Sequence, residues 1–560
     1  MSARRGDRNA YRWDFRVSLF RESALVLLLL LMTISAAHAM ELYSATDWLV
    51  RWDNTLKGSA AYRVAGQDDE LIDAAHVNAD DGDRNFDEGF TSTRLDLLSE
   101  LDIQYRNFGV RASAAGWVDG MYLKDNDNDS PFTFNGIGPN DEFSDETEDL
   151  HGKKVELLDA FAFGRFNIGS TPASFRAGRH TLMWGETLFF ATNGIANGMA
   201  PIDLQKMLSV PSTQAKEIFM PVNQLSGQLQ LSTNLSVAGF TKFEWRRSRI
   251  PASGSYFSDM DMLDAGGQRI LVGPGVALWR GDDMGAGDGT DEFGESDFGA
   301  FGASLRFRVP DIDVDWGLYY HLYNETAPQV YLYPGRNMDL AVGKVGEYAL
   351  VYPEDIHSIG ASFGTQIGPA NVSGEVSGRI DTPLVSTAQT VMPGMDADND
   401  DHPLYAIGNT LHANLSASYL LAAGPSLGRL RLWDGGTLLA EVGYTYLLET
   451  TENESAFDPT RDDYALGLRM VFEPAYYQVF SGFDMTIPLG VGYNPAGKSP
   501  VDSKFNVTGA DEGGDLSVGV TGTYRNAWRM GLSYTNYFGS PSTQTLTDRD
   551  LIALYVQRTF

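Results

Sequence analysis

From residue 56 to the C-terminus, apolar and polar side chains alternate in stretches of roughly ten residues separated by Gly, Asn, Asp and Pro, the signature of strands with two unlike faces. In 92–105, Leu95, Leu97, Leu101 and Ile103 share one face, and Arg94, Asp96, Glu100, Asp102 and Gln104 share the other. Phe301, Ala303, Leu305 and Phe307 alternate with Ser304, Arg306 and Arg308; Val314, Trp316, Leu318 and Tyr320 alternate with Asp313, Asp315, Tyr319 and His321. Val372 and Val376 oppose Glu375 and Arg379. A soluble sandwich that buried such a charged face would desolvate it, whereas a water-filled lumen would not.

Eighteen such segments run from 56–66 to 549–560, and 477–490 is among the least regular. The gaps between them alternate long and short. Bacterial outer-membrane barrels have short periplasmic turns and long external loops, so 67–91, 123–154, 184–222, 247–296, 324–355 and 381–408 are expected outside. The fold class is therefore all-β: a transmembrane antiparallel up-and-down β-barrel of about 18 strands, with 16 the neighbouring even count. Phe560, with Val556, Leu554 and Ile552 on one face, ends the chain as an aromatic-terminated strand. Trp117, Tyr122, Tyr323, Tyr446, Trp528, Tyr534, Tyr537 and Tyr555 near strand ends are expected to form girdles at the membrane interfaces.

The N-terminus supplies the compartment. Arg4, Arg5, Arg8, Arg12, Arg16 and Arg21 precede an apolar run at 24–32, and Ala37-His38-Ala39 offers a small-residue cleavage site. Residues 1–39 thus read as a secretory signal peptide, with 40–560 a single barrel domain. The run falls short of the ~20 residues of a spanning helix. The whole chain carries 42 basic and 74 acidic residues; without 1–39 the counts become 36 and 71, a net charge of -35. Such acidity argues against nucleic acid as a partner. The absence of cysteine excludes disulfides, thiolate metal sites and Cys nucleophiles.

Several matches to chemical motifs lack their structural context. The 492–499 run (GYNPAGKS) has phosphate-loop spacing, but Pro500 follows where a helix must start. The 360–364 run (GASFG) matches a nucleophile elbow but lies inside an alternating strand, and no histidine has a serine partner by spacing. Asp125, Asp127 and Asp129 begin like a calcium loop, but Ser130 replaces the required Gly and Gly136 the bidentate Glu. These aspartates, like Asp396, Asp398 and Asp400, read as solvated loop tips. No catalytic residue, cofactor or metal site is assigned.

The runs FTSTRLDLLSELDIQYRNFGVRASAAGW from Phe90, AGRHTLMWGETLFF from Ala177, VPSTQAKEIFMPVNQLSGQLQL from Val210 and FEWRRSRIPASGSYFSD from Phe243 carry a resemblance across most of the chain after Met40. It resembles the proteobacterial family catalogued as Domain of Unknown Function thirteen-oh-two. The resemblance implies an outer-membrane barrel whose relatives lie in gene neighbourhoods with a resistance-nodulation-division (RND) type transporter, and traffic of hydrophobic molecules. It brings no established activity.

One segment is too apolar for a free external loop. Within 184–222, Leu188, Phe189, Phe190, Ile195, Met199, Ile202, Met207, Leu208, Ile218 and Phe219 would face water. The expectation is that it folds into the barrel as a constriction or hatch, with Arg179, His180, Trp184, Glu186, Phe189, Phe190, Lys206, Lys216 and Glu217 lining or anchoring the narrow point; the alternative is a lid over the rim or a subunit contact. Arg246, Arg247 and Arg249 at an external strand end suit lipopolysaccharide phosphates, or an ordinary solvated rim. The leading function is a gated channel in the outer membrane of a Gram-negative bacterium, carrying an amphipathic or hydrophobic small molecule, with outer-membrane lipid, lipopolysaccharide and an RND-type transporter as partners. A porin for small polar molecules is the alternative, and a lipid-modifying barrel enzyme the third reading. Oligomeric state is not legible.

Overall fold

The computed structural model describes residues 40–285, 299–399, 401–427 and 430–560; the expected signal peptide and Asp400 lie outside these. Eighteen strands form the barrel: β1 (Trp48–Arg63), β2 (Gly89–Tyr105), β3 (Phe108–Asp119), β4 (Lys153–Ile168), β5 (Thr171–His180), β6 (Val222–Ser232), β7 (Leu235–Lys242), β8 (Phe301–Val309) and β9 (Val314–Tyr323) make the first half. The second half comprises β10 (Ile356–Ile367), β11 (Ala370–Pro383), β12 (Ile407–Leu421), β13 (Gly435–Glu452), β14 (Tyr464–Phe480), β15 (Phe483–Thr486 continued by Leu489–Ala496), β16 (Gly513–Tyr524), β17 (Trp528–Phe538) and β18 (Leu551–Thr559). Each strand pairs antiparallel with the next, and β18 closes on β1 from Thr55 opposite Thr559 to Arg63 opposite Leu551. Phe560 extends the seam: its N–H donates to Asn54 O at 2.9 Å and its carbonyl accepts from Asn54 N at 2.8 Å. Below it, Met40–Ser44 takes over the same edge of β1.

Burial is inverted relative to a soluble protein. In β2, Leu97 is 45% exposed and Arg94 4%; in β11, Val376 is 50% exposed and Glu375 4%. The apolar faces form the outer surface and the charged faces line the inside, the arrangement of a barrel in lipid. No helix among the described residues is long and apolar enough to cross a membrane. The protein is an outer-membrane β-barrel.

Two expectations are corrected, and one feature is added that the alternation did not predict. The irregular 477–490 segment is not one strand: β14 runs through Pro474 to Phe480, the turn falls at Ser481-Gly482 where Gly482 has φ +79°, and β15 is interrupted at residues 487–488. Proline cannot donate to the ladder, so Pro488 accounts for the break. Trp117, Tyr122, Tyr323, Tyr537 and Tyr555 are buried, so they are not girdle residues; Trp48, Trp52, Tyr105 and Phe108 supply exposed rings at the short-turn end. The long gaps 247–296 and 324–355 also hold a sheet of their own, in which Gln329–Asp339 pairs with Lys344–Tyr352, extended by Val276–Arg280 and Arg269–Gly273. Alternating Tyr and Leu residues drive it, burying Tyr348, Leu350 and Tyr352 against Trp245 and Leu278.

Candidate functional site: a segment across the lumen

The connection between β5 and β6 leaves the wall after His180 and enters the barrel. Residues 190–199 form successive tight turns: Asn193 N–H donates to Phe190 O at 3.0 Å, Asn197 N–H to Gly194 O at 3.2 Å and Met199 N–H to Ala196 O at 3.1 Å. Close approach to the wall requires glycine at two places. Gly185 has φ +99°, and a Cβ there would stand 2.6 Å from Glu375 Oε2; Gly198 has φ +74°, and a Cβ would overlap the Tyr323 ring.

The inward faces of β7 and of β9 to β13 hold this segment, mostly through its backbone. Glu375 Oε2 accepts the Glu186 N–H at 2.7 Å and Oε1 the Ile195 N–H at 2.8 Å. Glu441 Oε2 accepts the successive N–H groups of Leu188 at 3.0 Å, Phe189, and Phe190 at 3.2 Å. Three adjacent amides converging on one carboxylate oxygen form an anion nest. Arg379 donates to Thr192 O at 2.7 Å and Gly194 O at 3.2 Å. His412 Nδ1 meets Asn193 Oδ1 at 2.9 Å, His321 Nε2 meets Asn197 O at 2.9 Å, and Lys242 Nζ donates to Gly198 O at 2.6 Å. Side-chain packing completes the seat. Trp184, Ile195 and Met199 bury themselves against Phe240 and Tyr319, while Phe190 packs at a tilt against Phe505 with ring centroids 5.5 Å apart. Gly443 and Gly467 make room for Phe190, since a Cβ on either would come within 2.8 Å of its ring.

The second half of the connection reaches the opposite wall. Helix Leu204–Ser209, capped by Asp203, places Lys206 Nζ 2.6 Å from Glu156 of β4 and 4.3 Å from the centre of the Trp117 ring of β3. Lys216 pairs with Glu100 of β2, and Glu217 closes a capping box with Gln214. Lys57 of β1 donates to Pro211 O at 3.4 Å. Strands β12 and β3 are nine positions apart in a ring of eighteen, so the connection is anchored on two opposite sides.

The sequence-predicted residues divide accordingly. Trp184, Glu186, Phe189 and Phe190 lie in the half seated on β9 to β13; Lys206, Lys216 and Glu217 lie in the half anchored on β2 to β4. Burial raises the Glu186 pKa although Arg306 stands 3.4 Å away. Arg179 pairs with Glu244 at 3.6 Å, and His180 Nε2 meets Ser226 Oγ at 2.8 Å. Its Nδ1 faces Gly178 O, so no carboxylate orients this ring for catalysis. Arg246 pairs with Glu244 at 3.9 Å, Arg247 with Asp264 at 3.1 Å, and Arg249 with Glu156 at 2.5 Å and Asp203 at 3.0 Å. Burial opposes the Arg249 charge, but Glu156 and Asp203 outweigh it. These pairings lend the lipopolysaccharide expectation no support. Glu375, Arg379 and Glu441 are legible in the sequence as lumenal charges, but not as anchors of the segment, because their partners are backbone amides and carbonyls.

Beneath the segment is a cavity of about 150 Å³ between β5, β6 and β7, lined by the apolar Leu182, Trp184, Phe175 and Ala238 and by the polar Arg176, Ser226 and Gln228.

A family model described as Protein of unknown function (DUF1302) matches residues 20–560. No protein with a curated description matches the chain. Among solved structures it is similar to Acinetobacter baumannii OccAB4, at 10% identity over 91% of this chain and 98% of that one, TM-score 0.42. It is also similar to Pseudomonas aeruginosa OpdK with vanillate, at 8% identity, 91% and 98% coverage and TM-score 0.38. A third is the outer membrane channel DcaP of Acinetobacter baumannii, at 10% identity, 92% and 99% coverage and TM-score 0.35.

Proposed function

The chain belongs to the family described as Protein of unknown function (DUF1302), and from that premise we propose that it is an outer-membrane channel held shut by residues 184–199. The observation that carries this reading is the pair of lumenal carboxylates, Glu375 and Glu441, which together accept five backbone N–H groups of the segment. Apolar packing of Trp184, Ile195, Met199 and Phe190 and bonds from Arg379, His321, His412 and Lys242 add to the seat, but the two carboxylates supply the largest set of charge-assisted bonds to one short stretch of chain, which makes them a latch on it.

The solute is amphipathic, and mainly apolar in body. Support comes from the cavity beneath the segment, where Trp184 and Leu182 offer an apolar wall and Arg176, Gln228 and Ser226 offer polar contacts. A porin for small polar solutes is the competing reading; exposed inner pairs such as Arg308 with Asp315 favour it, being arranged as in a wet pore. Liposome swelling distinguishes the two. A gated amphipathic channel leaves swelling in small sugars unchanged until the latch is cut, whereas a polar porin swells from the start. An RND-type transporter partner belongs to the same reading and is tested by co-purification from membranes after cross-linking.

A further inference from the structure

Above the barrel mouth the external connections lock together around charge. Asp80 and Asp81, at the start of the short helix Asp81–Arg84, meet Asp261 from the connection between β7 and β8, and one carboxylate oxygen from each lies within 4.8 Å of the others. All three side chains are buried, with exposures of 0%, 1% and 0%. One oxygen of each already has a donor: Asp80 Oδ2 takes Arg84 Nε at 2.5 Å, Asp81 Oδ2 takes Asn135 N at 2.9 Å, and Asp261 Oδ2 takes Asp81 N at 3.1 Å. The other oxygen of each, Oδ1 in all three, is buried without a close hydrogen-bond partner, although the Thr133 hydroxyl stands near Asp80 and the Asp80 N–H near Asp261. Asn135, fully buried and bonded to Asp81 through its backbone, leaves its own Oδ1 without a partner as well.

Buried acceptors left in this state are costly, and three carboxylates with one guanidinium in direct contact carry uncompensated charge. Arg269 acts on Asp81 only at a distance, its guanidinium being bonded to Phe134 O, Asn135 O and Gly136 O. The orphaned atoms are hard oxygens, the ligand type of calcium and magnesium. The approach is also tight: a Cβ on Gly82 would stand 2.6 Å from Ser255 O, so the helix and the 255–261 chain are already drawn together.

We infer that Asp80, Asp81 and Asp261, with the Asn135 amide oxygen, bind one divalent cation, calcium by preference, that staples the external connections 64–88, 120–152 and 243–285 over the mouth. A site of three carboxylates on an exposed face of the cell suits the weak calcium affinities of extracellular modules, ~10⁻⁴–10⁻³ M. Without the ion, these carboxylates hold protons more readily than a free aspartate does. Burial pushes Asp261 up to about 7 and Asp81 in the same direction.

The test is calcium stoichiometry and thermal unfolding of the purified full chain in detergent, stripped with EGTA and then given calcium chloride at pH 7.5. An Asp396→Asn/Asp398→Asn background removes the exposed acidic group that includes His402. In that background one calcium per chain and a raised unfolding temperature are expected, and Asp81→Asn/Asp261→Asn should abolish both while keeping heat-modifiable migration. No bound calcium in the background protein overturns the proposal whether or not the second variant folds. So does a folded Asp81→Asn/Asp261→Asn protein that keeps both the calcium and the shift, or a wild type whose stability depends on pH but never on calcium.

Discussion

Removing the Glu441 carboxylate is the most informative single perturbation. Its Oε2 accepts the N–H groups of Leu188, Phe189 and Phe190, and Phe190 is buried against Phe505 and Ala465. In Glu441→Ala three amides lose their acceptor. The Phe190 N–H is buried and the Leu188 and Phe189 N–H groups are part-buried; at about 1–3 kcal/mol for a buried unsatisfied donor and less for a part-buried one, the seated state loses ~3 kcal/mol relative to a state in which the segment is out and the amides reach water. At 1.4 kcal/mol per tenfold, the ratio of open to closed channel should rise by about two orders of magnitude. Glu441→Gln keeps one carbonyl acceptor without the charge, and roughly a tenfold rise is expected. Single-channel recording in planar bilayers reads the open-time fraction directly, and heat-modifiable migration on gels confirms that the variant barrel is assembled. An assembled Glu441→Ala channel whose open fraction stays within about threefold of wild type would refute the latch.

Three further outcomes follow from the same geometry. Gly198→Ala should raise the open fraction as well, because φ +74° and the Tyr323 ring both exclude a side chain there; single-channel recording checks it. In calcium-free protein the raised Asp261 pKa makes a contribution to stability that is fully present below the unfolded carboxyl pKa of 3.8 and gone once the pH passes about 7. The unfolding temperature of the EGTA-treated protein should therefore fall between about pH 4 and pH 7, and millimolar calcium should flatten that slope. Mass spectrometry of the protein taken from outer membranes should find Met40 at the N-terminus if residues 1–39 are a cleaved signal.

The barrel was legible because its signal is local. Alternation in 92–105 or 312–323 specifies which side chains share a face, and loop lengths specify which end faces out. What the alternation could not show is which polar residue meets which loop. Glu375 and Glu441 bond to amides that are 189 and about 251 residues away in the chain, and backbone partners leave no trace in composition. Asp80, Asp81 and Asp261 escaped for a related reason: in the sequence they look like any acidic loop tip, and only the packing of Gly82 against Ser255 and Ser258 reveals that they are buried. The aromatics misread as girdle residues show the complementary failure. Trp117 sits at a strand end as a girdle residue would, but faces inward, where its Nε1 donates to Leu150 O at 3.0 Å and Lys206 lies over its ring. The segment 184–222 stood out by apolar content alone, since that many exposed large side chains require a place to pack.

If residues 184–199 close the pore, replacing them must open it. Conductance of the purified wild type should be compared in planar bilayers with a variant in which residues 186–198 are replaced by a Gly-Ser linker of equal length. A wild type closed for most of the recording and a linker variant with large, sustained openings are expected. Equal, steady conductance in the two proteins would mean that the segment does not close the pore.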